Sequence, residues 1–157
     1  KLKPKFKKKK KKTKGIFFHP KIGFDSIWGD YKRWEGGNRD SYHHHESIDL
    51  VLGAYFGFQA PKYRLGIDGK LGDHMGVMVV FEKRNLFSNF NLIVGAGEYG
   101  RDFDLYKNQG QGRIKSNIKM GISKTLMLAE KPVSANMEIL FGELSFIPSI
   151  SFSYHLK

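Results

Sequence analysis

The sequence predicts an all-β chain: eight long antiparallel strands in up-and-down order, closed into a barrel. Three observations carry that expectation. From Gly15 onward apolar residues recur with period 2 rather than 3.6. The alternating segments run roughly 9–15 residues, longer than the ~5–6 of ordinary strands. The links between them alternate in length, short ones following the even-numbered segments.

Segment 15–28 sets Ile16, Phe18, Ile22, Phe24 and Trp28 against His19, Lys21, Gly23 and Asp25. Segment 47–60 is the clearest: Ile48, Leu50, Leu52, Ala54, Phe56 and Phe58 share one face, Asp49, Val51, Gly53, Tyr55 and Gly57 the other. Successive strand side chains point to opposite sides, so one face is apolar and the other polar or small. Segment 63–71 sets Tyr63, Leu65, Ile67 and Leu71 against Arg64, Gly66, Asp68 and Lys70. Segments 75–84 and 90–99 pair Val77, Val79, Phe81, Leu92 and Val94 with Met78, Val80, Glu82, Asn91 and Ile93. Segment 112–126 opposes Ile114, Ile118, Met120, Ile122 and Leu126 to Arg113, Lys115, Asn117, Lys119, Gly121 and Ser123. In 133–143, Met137, Ile139 and Phe141 oppose Ser134, Asn136, Glu138 and Leu140. In 146–157, Phe146, Ile150, Phe152, Tyr154 and Leu156 oppose Ser149, Ser151, Ser153 and His155.

Composition narrows the class. The 157 residues carry 27 Lys and Arg against 15 Asp and Glu, a formal charge of +12. Ten of those lysines lie in residues 1–14, which hold no acid, leaving 17 basic against 15 acidic groups, or +2, for residues 15–157. The first 14 residues are therefore expected to form a solvated, disordered basic tail, either a plain linker or a tether for anionic lipid. The rest has no charge excess with which to track a phosphate backbone, so nucleic acid is not an expected partner. With no Cys, disulfides and thiol chemistry are excluded. No apolar run reaches the ~18 residues of a spanning helix. A chain that opens on lysines reads as a mature or trimmed product, so a missing leader is no argument against export.

Strand length and loop asymmetry favour a bilayer. A tilted strand needs ~9–11 residues to cross one. Pro61-Lys62, 85–89 and 127–132 are short links, whereas 29–46 and 100–111 are long and fall on the opposite side. The second face decides the orientation. It carries glycines (Gly23, Gly53, Gly57, Gly66, Gly95, Gly97, Gly121, Gly142) and charges of both signs, which suit a cramped bore rather than a solvated exterior. Lys21, Asp25, Asp49, Arg64, Asp68, Glu82, Arg113, Lys115, Lys119 and Glu138 are expected to form a paired charge network there, since an unpaired buried charge costs several kcal/mol. The alternative is a soluble calycin-like lipid binder with the same periodicity and the opposite orientation.

Aromatics past strand ends, with expected loop contacts Tyr31, Trp34, Tyr42, Phe103 and Tyr106, fit girdles where rings straddle lipid and water. His43-His44-His45-Glu46, near Asp40, is read as a polar mobile loop rather than a metal site, because consecutive side chains on an extended chain diverge. GAGEYG at 95–100 lacks the strand–turn–helix context of a nucleotide loop and is read as strand glycines. No cofactor is expected.

The eight-strand pattern, its loop alternation and the closing SISFSYHLK resemble the small bacterial outer-membrane β-barrels, the group of the outer-membrane protein A transmembrane domain, outer-membrane protein X and the opacity adhesins. Phe152, Tyr154 and Leu156 match the group's final alternating strand, and Lys157 stands where it usually carries an aromatic. The resemblance implies residence in the bacterial outer membrane with both termini periplasmic. It also implies partners among outer-membrane lipid, lipopolysaccharide and proteins met through the loops. A structural or adhesive role follows, not that of a general porin. Some members modify lipid A; on that reading His155 with Ser151 and Ser153, or His19, would be the groups to examine.

Overall fold

The computed structural model describes residues 14–35, 39–72, 74–101, 115–142 and 145–156. These form β1 (Gly15–Glu35), β2 (Arg39–Gln59), β3 (Tyr63–Leu71), β4 (His74–Phe87), β5 (Phe90–Arg101), β6 (Lys115–Leu128), β7 (Lys131–Gly142) and β8 (Ser145–Tyr154). Each strand pairs antiparallel with its sequence neighbour, and β8 pairs back onto β1 from Lys21↔Ser153 to Gly29↔Ser145. The sheet is a closed barrel. The closing ladder skips Ser26 and Ile27, which lie opposite Pro148 and Ile147 respectively; a proline has no N–H to give to a ladder.

At one end the turns are tight. Ser88-Asn89 and Ala129-Glu130 join β4 to β5 and β6 to β7, with all four residues at positive φ. Positive φ at both central residues is the geometry whose twist matches that of the flanking strands. Residues 60–62 make the third turn, held by the Ala60 N–H donating to Tyr63 O at 2.8 Å. The ladder Gly15↔Gln59 and the Phe18↔Leu156 bridge bring both ends of the barrel chain to this same rim.

The opposite end corrects the expected loop at 29–46. β1 and β2 are each 21 residues long and stay paired as far as Glu35↔Arg39, so Tyr31, Trp34 and Tyr42 have strand backbones, opposite His43, Asp40 and Lys32. The His43–Glu46 run likewise belongs to β2 and is not a loop. A strand of ~9–11 residues suffices to cross a bilayer, so this hairpin continues well past the barrel wall as a two-stranded ribbon. Past Gly29, β1 has no ladder partner on β8, and before Leu52, β2 has none on β3, among the described residues. Phe103, Tyr106 and Arg113 lie outside the described residues.

Large side chains on the inner wall are accommodated by glycines. The Phe17 ring is buried in the bore beside Gly57, which in turn faces Gly66 on β3. A Cβ on Gly57 would meet Gly66 Cα at 2.5 Å, so these two backbones approach as only glycines allow. The inner face is not uniformly polar. Ile27, Met78, Val80, Ile93, Tyr99, Leu140 and Ile147 form an apolar cluster within it.

Candidate functional site

The bore is filled by side chains in successive levels, starting from the short-turn rim. At that rim the rings of His19 and His155 stack, centroids 4.0 Å apart and 4° from parallel. His155 Nε2 and Ser134 Oγ share a hydrogen bond of 2.7 Å. Phe17 packs on His19, and the Arg64 guanidinium sits 5.6 Å from the Phe17 ring centroid. One level in, Arg64 Nη1 donates to Glu82 Oε2 at 3.0 Å, while Asn91 Nδ2 and Ser123 Oγ donate to Glu82 Oε1 at 2.7 and 3.1 Å.

The middle level is a knot of buried charge. Lys21 Nζ donates to Asp68 Oδ2 at 2.6 Å, and Lys119 Nζ donates to the same oxygen and to Glu138 Oε2 at 3.1 Å. Above it, Lys70 Nζ donates to Asp25 Oδ1 and Oδ2 at 3.0 and 3.1 Å and to Ser149 Oγ at 3.0 Å; the Tyr99 hydroxyl also donates to Asp25. Three ammoniums thus meet three carboxylates, and desolvation of each is offset by at least one opposite charge within hydrogen-bonding distance. Nearest the long-loop end, His74 Nδ1 lies 2.6 Å from Asp49 Oδ2, and the His74 ring stacks on Tyr99. One small cavity of about 20 Å³, bordered by Tyr55, Asp68, Glu82 and Glu138, interrupts this packing; that is room for roughly one water.

The alternation places Lys21, Asp25, Asp49, Arg64, Asp68, Glu82, Lys119 and Glu138 on the inner wall. Lys115 contributes only its backbone here, opposite Tyr99, its side chain being outside the described residues. Two participants were missed by sequence reasoning. Lys70 shares its face with Asp68 and Arg64, so alternation alone already pointed inward. His74 lies one residue before the expected fourth segment, 75–84, and opens β4. The Ser/His arrangement considered for hydrolysis is not formed: Ser151 and Ser153 accept hydrogen bonds from Asn136 Nδ2 at 3.2 and 2.8 Å, and His155 turns to Ser134 instead.

His155, one residue beyond β8, has its pKa pushed down to about 4, by burial first and then by the charges of Arg64 and Arg84. A histidine near its ordinary value of about 6.5 in the unfolded chain takes up a proton before the folded one does. Folding is therefore favoured by this group above pH 6.5, and that contribution is lost as pH falls toward 4. Urea midpoints measured from pH 7.5 to 4.5 are expected to fall less steeply for His155→Gln than for the unaltered chain. Parallel slopes would show that His155 titrates as it does in water.

The outer wall is the reverse of a water-soluble surface. Leu50, Leu52, Ile118 and Phe152 are 51–60% exposed, whereas Asp68 and Lys119 are 3% and 0% exposed. A cavity-lining calycin barrel requires the opposite. No family model matches the chain, and no curated protein matches its sequence. Among solved structures the chain is similar to Ail, the attachment invasion locus protein of Yersinia pestis, at 12% identity and a TM-score of 0.42, over 91% of this chain and 98% of that one. The same Yersinia pestis protein in complex with the heparin analogue sucrose octasulfate aligns at 12% identity and a TM-score of 0.40, over 89% and 97%. The exposure pattern itself decides the class. This is a transmembrane β-barrel. Its apolar band is the surface that hydrocarbon covers, and its packed bore replaces a hydrophobic core with ion pairs and one apolar cluster.

Proposed function

We propose that the chain is an integral protein of the bacterial outer membrane, acting through the ribbon and loops at its long-connection end in an adhesive, structural or partner-binding role. The observation that supports this most directly is the inverted wall: a continuous apolar exterior around a bore plugged by Lys21, Asp68, Lys119 and Glu138. Eight strands leave an interior only wide enough for side chains, so passage of solutes is not its work. What remains for function is what projects from the wall.

The β1–β2 ribbon is the largest such feature. Its two edges carry backbone N–H and C=O groups without ladder partners among the described residues, the arrangement to which an extended segment of a partner adds as a further strand. Tyr31, Trp34 and Tyr42 belong to it, and aromatics of this kind are enriched among residues that dominate binding energy. On this reading the short-turn rim faces the periplasm with both termini, and the Lys-rich residues 1–14 meet anionic lipid there. Lipopolysaccharide and host surface proteins are the partners available on the opposite side.

Replacing residues 30–44 by an Asn-Gly turn tests the proposal. The shortened protein is expected to remain heat-modifiable on gels, because the ladders from β3 to β8 are untouched. Binding to host cells and to immobilised lipopolysaccharide is expected to fall at least about tenfold, the loss of a few anchoring side chains. Unchanged binding by a folded, shortened barrel would remove the ribbon from the function.

A further inference from the structure

The short-turn rim carries a second charged surface, on the outside of the wall rather than in the bore. Lys83 on β4, Lys124 on β6 and Lys131 on β7 are exposed and lie on the same outward face as the apolar band, near the turns β4–β5 and β6–β7. Lys62 in the 60–62 turn and Lys14 just before β1 are exposed at the same rim. Among the described residues the only acid accompanying them is Glu130, since Glu82 points into the bore and is spent on Arg64. At the other end of the wall the described exposed charge is Glu98. Among the described residues, the exposed charge at the short turns is thus predominantly positive.

Two of these lysines are also positioned by aromatic rings. Lys124 Nζ is 5.0 Å from the Phe90 ring centroid, and Lys131 Nζ is 5.7 Å from that of Tyr154. Lys83 lies opposite Tyr63, whose ring stacks with Phe81 at 6.2 Å. Such contacts hold an ammonium at the level where the apolar band ends, and each ring supplies a further attraction to the cation. A long lysine stem lying on apolar wall with its charge at the band's edge is the posture of a side chain that reaches for headgroups.

We infer that this rim is a binding belt for anionic phospholipid headgroups of the leaflet on the short-turn side, with Lys83, Lys124 and Lys131 as its phosphate-contacting groups. The inference rests on the membrane-barrel reading above and adds a lipid preference to it. Lys83, Lys124 and Lys131 occupy the β4–β7 side of the wall, and Lys14 and Lys62 continue the rim before β1 and between β2 and β3, a distribution that matches a ring of boundary lipids better than a single protein partner engaging one side. The phosphate of an anionic lipid, unlike that of a zwitterionic one, carries no neighbouring ammonium to repel the lysine.

The chain of residues 1–157 inserted into phosphatidylcholine vesicles tests this, with spin-labelled phosphatidylglycerol or phosphatidylcholine reporting the boundary lipid by electron spin resonance. Phosphatidylglycerol is expected to associate at least about threefold more strongly at low ionic strength, and the preference to shrink in ~1 M salt. In K83Q/K124Q/K131Q the ratio is expected to approach one; in K83R/K124R/K131R it is expected to stay high. Because residues 1–14 and Lys62 are identical in all three proteins, a preference that survives the glutamine substitutions overturns Lys83, Lys124 and Lys131 as the phosphate-contacting groups and belongs to the tail or to Lys62. A chain that inserts without any preference also overturns the belt while leaving the membrane reading intact. Failure of the unaltered chain to insert overturns both.

Discussion

Lys119→Met is expected to destabilise the barrel by about 3–5 kcal/mol, the cost of leaving buried charge without its partner. Lys119 is fully buried and joins Asp68 to Glu138. Without it, two buried carboxylates share Lys21, which reaches Asp68 at 2.6 Å and Glu138 only at 3.8 Å, with Lys70 no nearer to Glu138 than 4.0 Å. Repulsion between them then adds to their desolvation. The double variant Lys119→Met, Glu138→Gln restores the balance, leaving Lys21 for Asp68 and Lys70 for Asp25. It is expected to recover most of the loss, because a balanced replacement of a buried ion pair is often nearly neutral. Urea unfolding in lipid vesicles, run as a double-mutant cycle, measures both quantities. A single substitution costing under about 1 kcal/mol would mean that water reaches the knot, and a narrow conducting path through the bore would then have to be considered.

The logic of that experiment shows what could be read from residue order and what could not. Which wall a side chain faces follows from parity within a strand, so Lys21 and Asp25, or Asp68 and Lys70, declare themselves inward without any structure. Which partner each meets depends on the stagger between strands far apart in sequence. Asp25 lies directly opposite Asp49, yet the first finds Lys70 and the second His74. No spacing rule within one segment contains that information. The strand ends diverged for a different reason. β3 was legible to the residue, Tyr63 to Leu71, because its whole length lies against lipid and alternates in hydropathy. The outer halves of β1 and β2 stand beyond the apolar band, where neither face is selected for greasiness. Their sequence, GDYKRWE followed by RDSYHHHE, then loses the contrast on which a period-2 reading depends, although the backbone pairing continues. The apolar cluster inside the bore was visible as Met78, Val80, Ile93 and Leu140 on the second face, but its convergence with Ile27, Tyr99 and Ile147 again required the register.

Met120→Arg separates a lipid-covered exterior from a wetted one. Met120 is half exposed and sits at the middle of the band, with Val94 beside it on β5 and Ile139 on β7. On a soluble barrel, replacing an exposed methionine by arginine changes stability by no more than about 0.5 kcal/mol, and solubility improves. In a bilayer the guanidinium must be held near the hydrocarbon midplane, which costs about 2–4 kcal/mol. Depth provides the internal control. Ile48 lies beyond Leu52 and Leu50 toward the long-connection end of β2 and is more exposed than Met120, so Ile48→Arg reaches headgroups and is expected to cost about 0–1 kcal/mol. Unfolding free energies of the two variants in the same vesicles should therefore differ by at least about 1 kcal/mol, with the less exposed position the more sensitive one. Equal and negligible costs would place water against this wall. The apolar band would then be a surface awaiting a protein cover, and both the insertion of the chain and the lipid belt at its rim would have to be abandoned.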